Sequence, residues 1–182
     1  MKTTQILIAG FGGQGILFSG KFLAYKGLIE ELEVSWLPSY GPEMRGGTAN
    51  CNVILSDTPV GSPIVTAPDV LIAMNLPSLQ KYVDSVVSGG QIYVDSSLID
   101  AKVERDDVRV FYIPATQMAK DAGIASLANM IIVGHLLENH PELSFEGTAE
   151  VVEQLVPAKK EALKALNMQA LSLGKDFAVQ NS

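Results

Sequence analysis

The fold of this chain is decided by one stretch near its start, Gln5-Ile6-Leu7-Ile8-Ala9-Gly10-Phe11-Gly12-Gly13-Gln14-Gly15. The apolar run predicts a buried strand, and a helical pattern begins directly after the glycines. A strand that turns through glycines into a helix brings backbone N–H groups and the positive end of the helix to one point. That point suits a phosphate or another anion, or a second chain that approaches the backbone closely.

The glycine spacing in this turn matches the G-x-G-x-x-G fingerprint of dinucleotide-binding proteins. That fingerprint also requires a carboxylate at the end of the second strand, where it holds a ribose. The second predicted strand, Glu33-Val34-Ser35-Trp36-Leu37-Pro38, runs instead into Ser39-Tyr40-Gly41. The glycine turn therefore allows three interpretations. The one we favour is a site for a phosphate-bearing ligand or a partner protein. The alternatives are an NAD-type site and glycines that serve only a tight turn and close helix packing.

Beyond the turn, strand and helix patterns alternate, which is typical of a layered α/β fold. We expect a three-layer Rossmann-like fold with a mostly parallel or mixed sheet, in a single domain over residues 1–182. Further strands are predicted at 48–55, 69–74, 91–95 and 108–113, with room for a short strand or edge hairpin at 60–67. Helices are predicted at 16–28, 76–87, 126–138, 148–155 and 158–177. The apolar stripe of the last helix is expected to pack on its own domain, with a subunit contact as the alternative.

Composition and charge exclude several classes of protein. The 182 residues are 47% hydrophobic and 18% charged, as in a globular domain with a full core. A net charge of -7 argues against nucleic-acid binding. The single cysteine, Cys51, excludes an internal disulfide and a cysteine-rich iron-sulfur or zinc site within this chain. With no export signal at its start and no apolar run of membrane-spanning length, we expect a cytoplasmic protein with Cys51 reduced.

The sequence offers no self-sufficient active site. His135 lies on an apolar helix, His140 precedes a proline, and Cys51 has no histidine near it in the sequence. The two histidines are expected to be structural or surface residues, and Cys51 is expected to be a buried structural thiol. Nucleophile-elbow, zinc-protease and Walker lysine motifs are absent from the sequence. We therefore expect neither a catalytic residue nor a metal ligand here.

A second informative segment is Ser39-Tyr40-Gly41-Pro42-Glu43-Met44-Arg45-Gly46-Gly47-Thr48. A loop with an arginine, a glutamate and a tyrosine among three glycines and a proline is costly to order, which suggests that something else contacts it. It follows the second strand and so belongs at the same sheet edge as the glycine turn. Arg45 has the fork geometry that pairs with a phosphate or carboxylate; the alternative is a pair with Glu43 that closes the loop.

Together, the two segments resemble the gamma subunit of 2-oxoacid:ferredoxin oxidoreductases. The resemblance rests on Gly10 to Gly15 and on Trp36 to Cys51 at this separation, and it covers essentially the whole chain. Similar stretches follow at 54–57, 61–63, 69–75 and 128–130. The Ser-Tyr-Gly-Pro-Glu-Met-Arg-Gly-Gly form of the second segment looks most like the 2-oxoglutarate branch, although the pyruvate, 2-oxoisovalerate and indolepyruvate branches carry related versions.

The resemblance implies a subunit of a complex that oxidatively decarboxylates a 2-oxoacid, forms an acyl-CoA and passes electrons to ferredoxin. It implies that thiamine diphosphate, Mg and the iron-sulfur clusters belong to other subunits, that coenzyme A is a co-substrate of the complex, and that this chain alone binds no cofactor and is inactive alone. The implied partners are alpha and beta subunits, a delta subunit as a further candidate, and ferredoxin through the complex. Neither nucleic acid nor a membrane is expected as a partner, and a homodimer of the isolated chain is left open.

The motifs that match the family mark candidate binding positions, with no chemical step assigned to any of them. They are Gly10, Gly12, Gly13, Gln14, Gly15, Tyr40, Gly41, Pro42, Glu43, Arg45, Gly46 and Gly47. Our hypothesis is that backbone N–H groups of the glycine turn, with Arg45, shape a surface used by a CoA phosphate or by the neighbouring subunit. The competing hypotheses are a free-standing nucleotide-binding protein and a purely structural subunit whose glycine loops serve only packing.

Overall fold

A computed structural model describes residues 3–39 and 48–181 of the chain. The strands are β1 (Thr4–Phe11), β2 (Glu33–Ser39), β3 (Thr48–Ser56), β4 (Val70–Ala73), β5 (Gln91–Asp95) and β6 (Arg109–Ile113). The helices are α1 (Ile16–Ile29), α2 (Leu76–Tyr82), α3 (Ala115–Asp121), α4 (Ala128–Asn139), α5 (Thr148–Leu155) and α6 (Glu161–Gln180). Short 3-10 helices follow α2 at Val83–Ser85 and precede α4 at Ala125–Leu127.

The strands form one mixed sheet in the order β2-β3-β1-β4-β5-β6. Strands β1, β4, β5 and β6 are parallel neighbours. Strand β3 is antiparallel to both β1 and β2. Strands β1 and β2 therefore run in the same direction with β3 between them, and the predicted α/β fold with a mixed sheet is confirmed.

Helices cover both faces of the sheet and so complete three layers. The larger core joins Ile6, Ile8 and the inward face of β3 to residues of α1, α3, α4, α5 and α6. The smaller core joins Leu7 and Leu71 to Leu79 of α2. Successive side chains of β1 alternate between the two cores, because side chains in a strand point to opposite faces in turn.

Helix α4 is the most deeply buried helix segment of the larger core. All its residues from Ala128 to Leu137 are buried, as expected of a helix that is apolar on every side. It packs lengthwise against α6, whose Ala170 and Leu171 belong to the same core. The apolar stripe of the last helix thus packs on its own domain, which confirms that prediction.

Two segments differ from the sequence-based expectation. Residues 60–67 form no strand, and the prolines at 59, 63 and 68 remove backbone donors that a strand would need. Helix α2 is shorter than predicted and ends at Tyr82. In the 3-10 turn that follows α2, the Nη1 of Arg105 donates to the carbonyl oxygens of Val83 and Val86, both at 2.8 Å. These carbonyl groups at the end of the turn thus find a hydrogen-bond donor in a distant residue. Across the described ranges, no helix has the length and apolar character that crossing a membrane requires.

Candidate functional site

The glycine turn links the C-terminal end of β1 to the first turn of α1. Gly13 and Gly15 have positive φ values of 90° and 74°, which residues with side chains adopt only at a cost. Gly15 is the N-cap of α1 and has no side chain with which to cap it. The first N–H groups of α1 are therefore not bonded by a capping side chain, and an N-terminus of this kind favours an anion.

The side chain of Gln14 ties this turn to the next parallel strand. Its Oε1 accepts a hydrogen bond from the backbone N–H of Phe11 at 2.6 Å, and its Nε2 donates to the carbonyl oxygen of Met74 at 2.9 Å. Met74 directly follows β4, and its own N–H donates to the carbonyl of Ala9. The side-chain amide of Gln14 thus joins the carboxyl ends of β1 and β4. Gln14, which was predicted as a binding residue, therefore has a structural role.

Close contacts require glycine at positions 10 and 15. A Cβ at Gly10 would lie 2.6 Å from Oε1 of Gln14 and 2.7 Å from Cδ1 of Ile16. A Cβ at Gly15 would lie 2.5 Å from Nδ2 of Asn129. The Cβ position of Gly13, in contrast, has no heavy atom within 4 Å. Gly10 and Gly15 are therefore needed for packing, whereas Gly13 is needed only for its backbone conformation.

A cavity of ≈ 300 Å³ opens beside the turn. Its lining consists of glycine backbone and apolar side chains, namely Phe11, Gly12, Gly13, Gly15, Ile16, Leu17, Phe18 and Ala49. Phe11 is 43% exposed, an unusual state for a large aromatic side chain. Among the described lining residues there is no carboxylate.

The second predicted segment begins and ends at this same edge. Thr48, which opens β3, pairs with Phe11, and Ser39, which closes β2, pairs with Asn50. The predicted residues between these strands, Tyr40, Gly41, Pro42, Glu43, Arg45, Gly46 and Gly47, lie outside the described residues. The structure therefore brings together Gly10, Gly12, Gly13, Gln14 and Gly15, and it fixes the two strand ends from which the segment departs.

The topology differs from that of a dinucleotide-binding fold. In that fold the strand after the first helix lies directly beside the glycine-bearing strand, and its end holds the ribose. Here the antiparallel β3 occupies that place, and β2 lies one strand further out. This arrangement gives the NAD-type reading no structural support.

The lone histidines and the cysteine have the environments of structural residues. Burial raises the pKa of the Cys51 thiol to about 12, so the nucleophilic thiolate is scarce. Burial lowers the pKa of His135 to about 4, and its ring packs edge-on against Tyr93 and Phe111. Burial also lowers the pKa of His140. Within residues 3–39 and 48–181, no group of three or more His, Cys, Asp or Glu side chains could hold a metal ion.

Two polar residues near this edge were not singled out by their sequence positions. Asp95, at the end of β5, is fully buried; its Oδ1 accepts from the N–H of Ser97 at 3.1 Å and its Oδ2 accepts from Oγ1 of Thr116 at 2.6 Å. Asn129, on α4, donates from Nδ2 to the carbonyl of Gly15 at 3.1 Å and to Oγ of Ser19 at 2.9 Å. The available signal for Asn129 was an amide in the first turn of a largely apolar helix.

Comparisons with known proteins agree on one family. A model of the family described as pyruvate ferredoxin/flavodoxin oxidoreductase matches residues 5–177. The ketoisovalerate oxidoreductase subunit VorA of Methanothermobacter thermautotrophicus is 39% identical over 178 residues, which are 97% of this chain. The 2-oxoglutarate synthase subunit KorC of the same organism is 34% identical over 185 residues. The chain spans 37% of the length of VorA but 96% of that of KorC.

Solved structures give the same result. A keto/oxoacid ferredoxin oxidoreductase gamma subunit from Geobacter sulfurreducens superposes with a TM-score of 0.83 at 28% identity, covering 97% of this chain and 99% of the other. A 2-oxoglutarate:ferredoxin oxidoreductase from Magnetococcus marinus, with 2-oxoglutarate, coenzyme A and succinyl-CoA bound, gives a TM-score of 0.85 at 29% identity. There the match covers 99% of this chain and 32% of the longer one.

Proposed function

Because the chain belongs to the pyruvate ferredoxin/flavodoxin oxidoreductase family, we propose that it serves as the gamma subunit of a 2-oxoacid:ferredoxin oxidoreductase. The complex oxidatively decarboxylates a 2-oxoacid, transfers the acyl group to coenzyme A and passes the electrons to ferredoxin. Residues 1–182 act as one domain in that complex, and the chain is inactive alone.

The cofactors of the reaction are proposed to lie in other subunits of the complex. One cysteine cannot supply the thiolates that hold an iron-sulfur cluster. As the resemblance to the family implies, thiamine diphosphate with its Mg and the clusters are assigned to alpha and beta subunits, with a delta subunit as a further candidate. Ferredoxin meets the complex rather than this chain. The complex works in the cytoplasm, where thiols such as that of Cys51 stay reduced.

The observation that carries the proposed role of this chain is the cavity at the glycine turn. It combines helix N–H groups that lack a capping side chain with an apolar lining and no carboxylate among its described residues. Coenzyme A has phosphates that suit the N–H groups and an aliphatic arm that suits Phe11 and Phe18. Arg45, in the segment between β2 and β3, is proposed as the cationic partner of a phosphate at this edge.

We propose 2-oxoglutarate as the substrate of the complex. Support comes from the second sequence segment and from the end-to-end match to a 2-oxoglutarate synthase subunit. The selection of the 2-oxoacid itself is assigned to residues of other chains.

The complex is tested by anaerobic affinity purification of this chain from its native cells, followed by intact-complex mass measurement and assay. We expect larger subunits carrying thiamine diphosphate and iron-sulfur clusters, and acceptor reduction that requires both CoA and a 2-oxoacid. Faster turnover with 2-oxoglutarate than with pyruvate or 2-oxoisovalerate supports the proposed substrate. Recovery of the chain alone, under conditions that preserve such complexes, would contradict the proposal.

The role of the glycine turn is tested by a matched pair of glycine variants in that complex. Gly13 and Gly89 both have positive φ, at 90° and 80°, and neither has a heavy atom within 4 Å of the Cβ position. Alanine therefore imposes a similar backbone strain at both, but Gly89 lies beside the start of β5, at the opposite edge of the sheet. We expect Gly13→Ala and Arg45→Ala to raise the KM for CoA, and Gly89→Ala to leave it unchanged. An unchanged KM in both test variants, with intact assembly, would exclude CoA contact at this site.

A further inference from the structure

We propose that Asn129 of α4 is a positioning residue for the glycine turn, which it holds in the orientation that binds coenzyme A. The inference rests on the proposed function, since it assumes that CoA meets the turn. Asn129 itself does not line the cavity, and it acts through Gly15.

The location of Asn129 makes an amide costly. Only 3% of the residue is exposed, and the neighbouring residues of α4 are apolar and buried. Its Oδ1 is buried without a hydrogen-bond partner among the described residues. A buried amide with half of its hydrogen-bonding capacity unused is less favourable than an apolar side chain of the same shape. The hydrogen bonds that Asn129 makes to described residues come from its Nδ2.

The Nδ2 of Asn129 completes a small network around one carbonyl group. It donates to the carbonyl oxygen of Gly15 at 3.1 Å and to Oγ of Ser19 at 2.9 Å. The Oγ of Ser19 donates in turn to the same carbonyl at 3.2 Å, and the backbone N–H of Ser19 donates to it at 3.0 Å. The Gly15 carbonyl is thus held by three donors, one of which comes from a helix 114 residues away in the sequence.

Holding that carbonyl also fixes a donor at the cavity. The carbonyl of Gly15 and the N–H of Ile16 belong to one planar trans peptide unit, in which they point in opposite directions. Ile16 lines the cavity. When Asn129 fixes the carbonyl of Gly15 on the side of α4, the N–H of Ile16 is fixed in the opposite direction, as a preorganised donor at the N-terminus of α1.

The close approach of the two residues supports the same role. A Cβ at Gly15 would lie 2.5 to 3.0 Å from atoms of the Asn129 amide. The amide of Asn129 and the backbone of the turn are therefore in direct packing contact, so that a shift of one displaces the other. This contact restricts the turn beyond what its hydrogen bonds do.

The test compares two buried asparagines in the purified complex. Asn167 of α6 is 1% exposed, its Oδ1 also lacks a partner among the described residues, and its Nδ2 bonds only the carbonyl of Leu163 in its own helix. Asn129→Ala and Asn167→Ala thus remove the same group from similarly buried positions. We expect Asn129→Ala to raise the KM for CoA about fivefold and to leave kcat and the KM for the 2-oxoacid unchanged. The reason is that CoA binding loses a free energy comparable to that of one hydrogen bond, at a point away from the reacting atoms. Asn167→Ala is expected to leave all three constants unchanged.

Two further variants make every result decisive. The variant Gly13→Ala tests the turn itself. If it raises the KM for CoA and Asn129→Ala does not, the proposed role of Asn129 is wrong, whereas the proposed contact between CoA and the turn stands. If neither variant changes that KM, the CoA contact is wrong and the inference falls with it. Should Asn129→Ala fail to assemble, Ser19→Ala decides, since it removes one donor and one acceptor of the same network; a rise of about twofold supports the role, and an unchanged KM overturns it.

Discussion

The backbone of Gly134 in α4 lies directly against the carbonyl group of Leu171 in α6, and Gly174 of α6 lies in the same way against the carbonyl of Ile131 in α4. The two helices therefore touch through main-chain atoms, at a point where even one methyl group has no room. The neighbouring atoms are backbone, which cannot move aside as a flexible side chain could.

We expect Gly134→Ala to destabilise the protein in spite of the better helix propensity of alanine. Overpacking at a rigid backbone contact costs about 2–3 kcal/mol, which corresponds to a Tm lower by roughly 6 °C for a chain of this length. Thermal unfolding followed by circular dichroism measures the effect. Gly61→Ala is the control, because no heavy atom lies within 4 Å of its Cβ position. If Gly134→Ala has the same Tm as the control, α4 and α6 can move apart to accept a methyl group without a measurable loss of stability.

Gln14→Ala is expected to loosen the glycine turn from β4. The change removes the bonds to the N–H of Phe11 and the carbonyl of Met74, and should lower the free energy of unfolding by about 1–2 kcal/mol. Hydrogen exchange at the amide of Phe11 should become faster, because its acceptor is lost. Gln117→Ala is the control, since the side chain of that glutamine donates only to Asp121 on the surface, and its backbone bond to Ser97 is kept in the variant. Slow exchange at Phe11 in Gln14→Ala would argue against the link.

Acid should destabilise the protein through His135. Burial lowers the pKa of this ring to about 4 in the folded state, from 6.5 in an unfolded chain. The unfolded chain therefore binds the proton more readily, so stability is complete above pH 6.5 and falls as the pH drops toward 4. The variant His135→Phe keeps an aromatic ring beside Tyr93 and Phe111 but has no group to protonate there. Between pH 7.5 and 4.5, we expect its free energy of unfolding to fall by about 2 kcal/mol less than that of the native protein.

Urea unfolding at several pH values measures this difference. The pKa of His140 is also lowered by burial, but that residue is present in both proteins and cancels in the comparison. Parallel stability curves for the two proteins would mean that His135 is protonated without penalty in the fold.

Cys51 should resist alkylation in the folded protein. The residue is fully buried, its Sγ donates to the carbonyl of Ile16 at 3.4 Å, and its pKa is raised to about 12. With iodoacetamide at pH 8, we expect modification at least about 100-fold slower than in the unfolded chain. Ser62→Cys, in a Cys51→Ala background, places a thiol at an exposed position and should react at once. Equally fast labelling of native Cys51 would reveal frequent local opening of α1 over β3.

Local patterns in the sequence predicted most of the elements. The apolar runs of β1 and β4 correctly indicated strands, and the glycines at 13 and 15 marked a turn that needs positive φ. These features depend on residues close together in the chain. The predicted end of α2 was wrong: after Tyr82 the chain forms the 3-10 turn Val83–Ser85, and the carbonyls of Val83 and Val86 accept from the guanidinium of Arg105, about twenty residues further along the chain.

Features that depend on distant partners could not be predicted in this way. The antiparallel insertion of β3 between β1 and β2 results from pairing across the sheet, and alternation along one strand does not specify its neighbour. The contact of Asn129 with Gly15 joins residues 114 positions apart. Sequence reasoning therefore located the glycine turn, whereas only the three-dimensional arrangement reveals which helix supports it.

The central position of β1 has a consequence for biosynthesis. This strand is made first, yet both of its neighbours come later: β3 pairs with it from Thr48 onward, and β4 only from Val70. During translation, both edges of β1 can be paired only after β4 is made, and β4 ends at Ala73, about sixty residues beyond the end of β1 at Phe11. An apolar strand with two open edges is prone to aggregate. A nascent chain stalled before residue 70 should therefore recruit chaperones, and one released after residue 140, when α4 has emerged, should not.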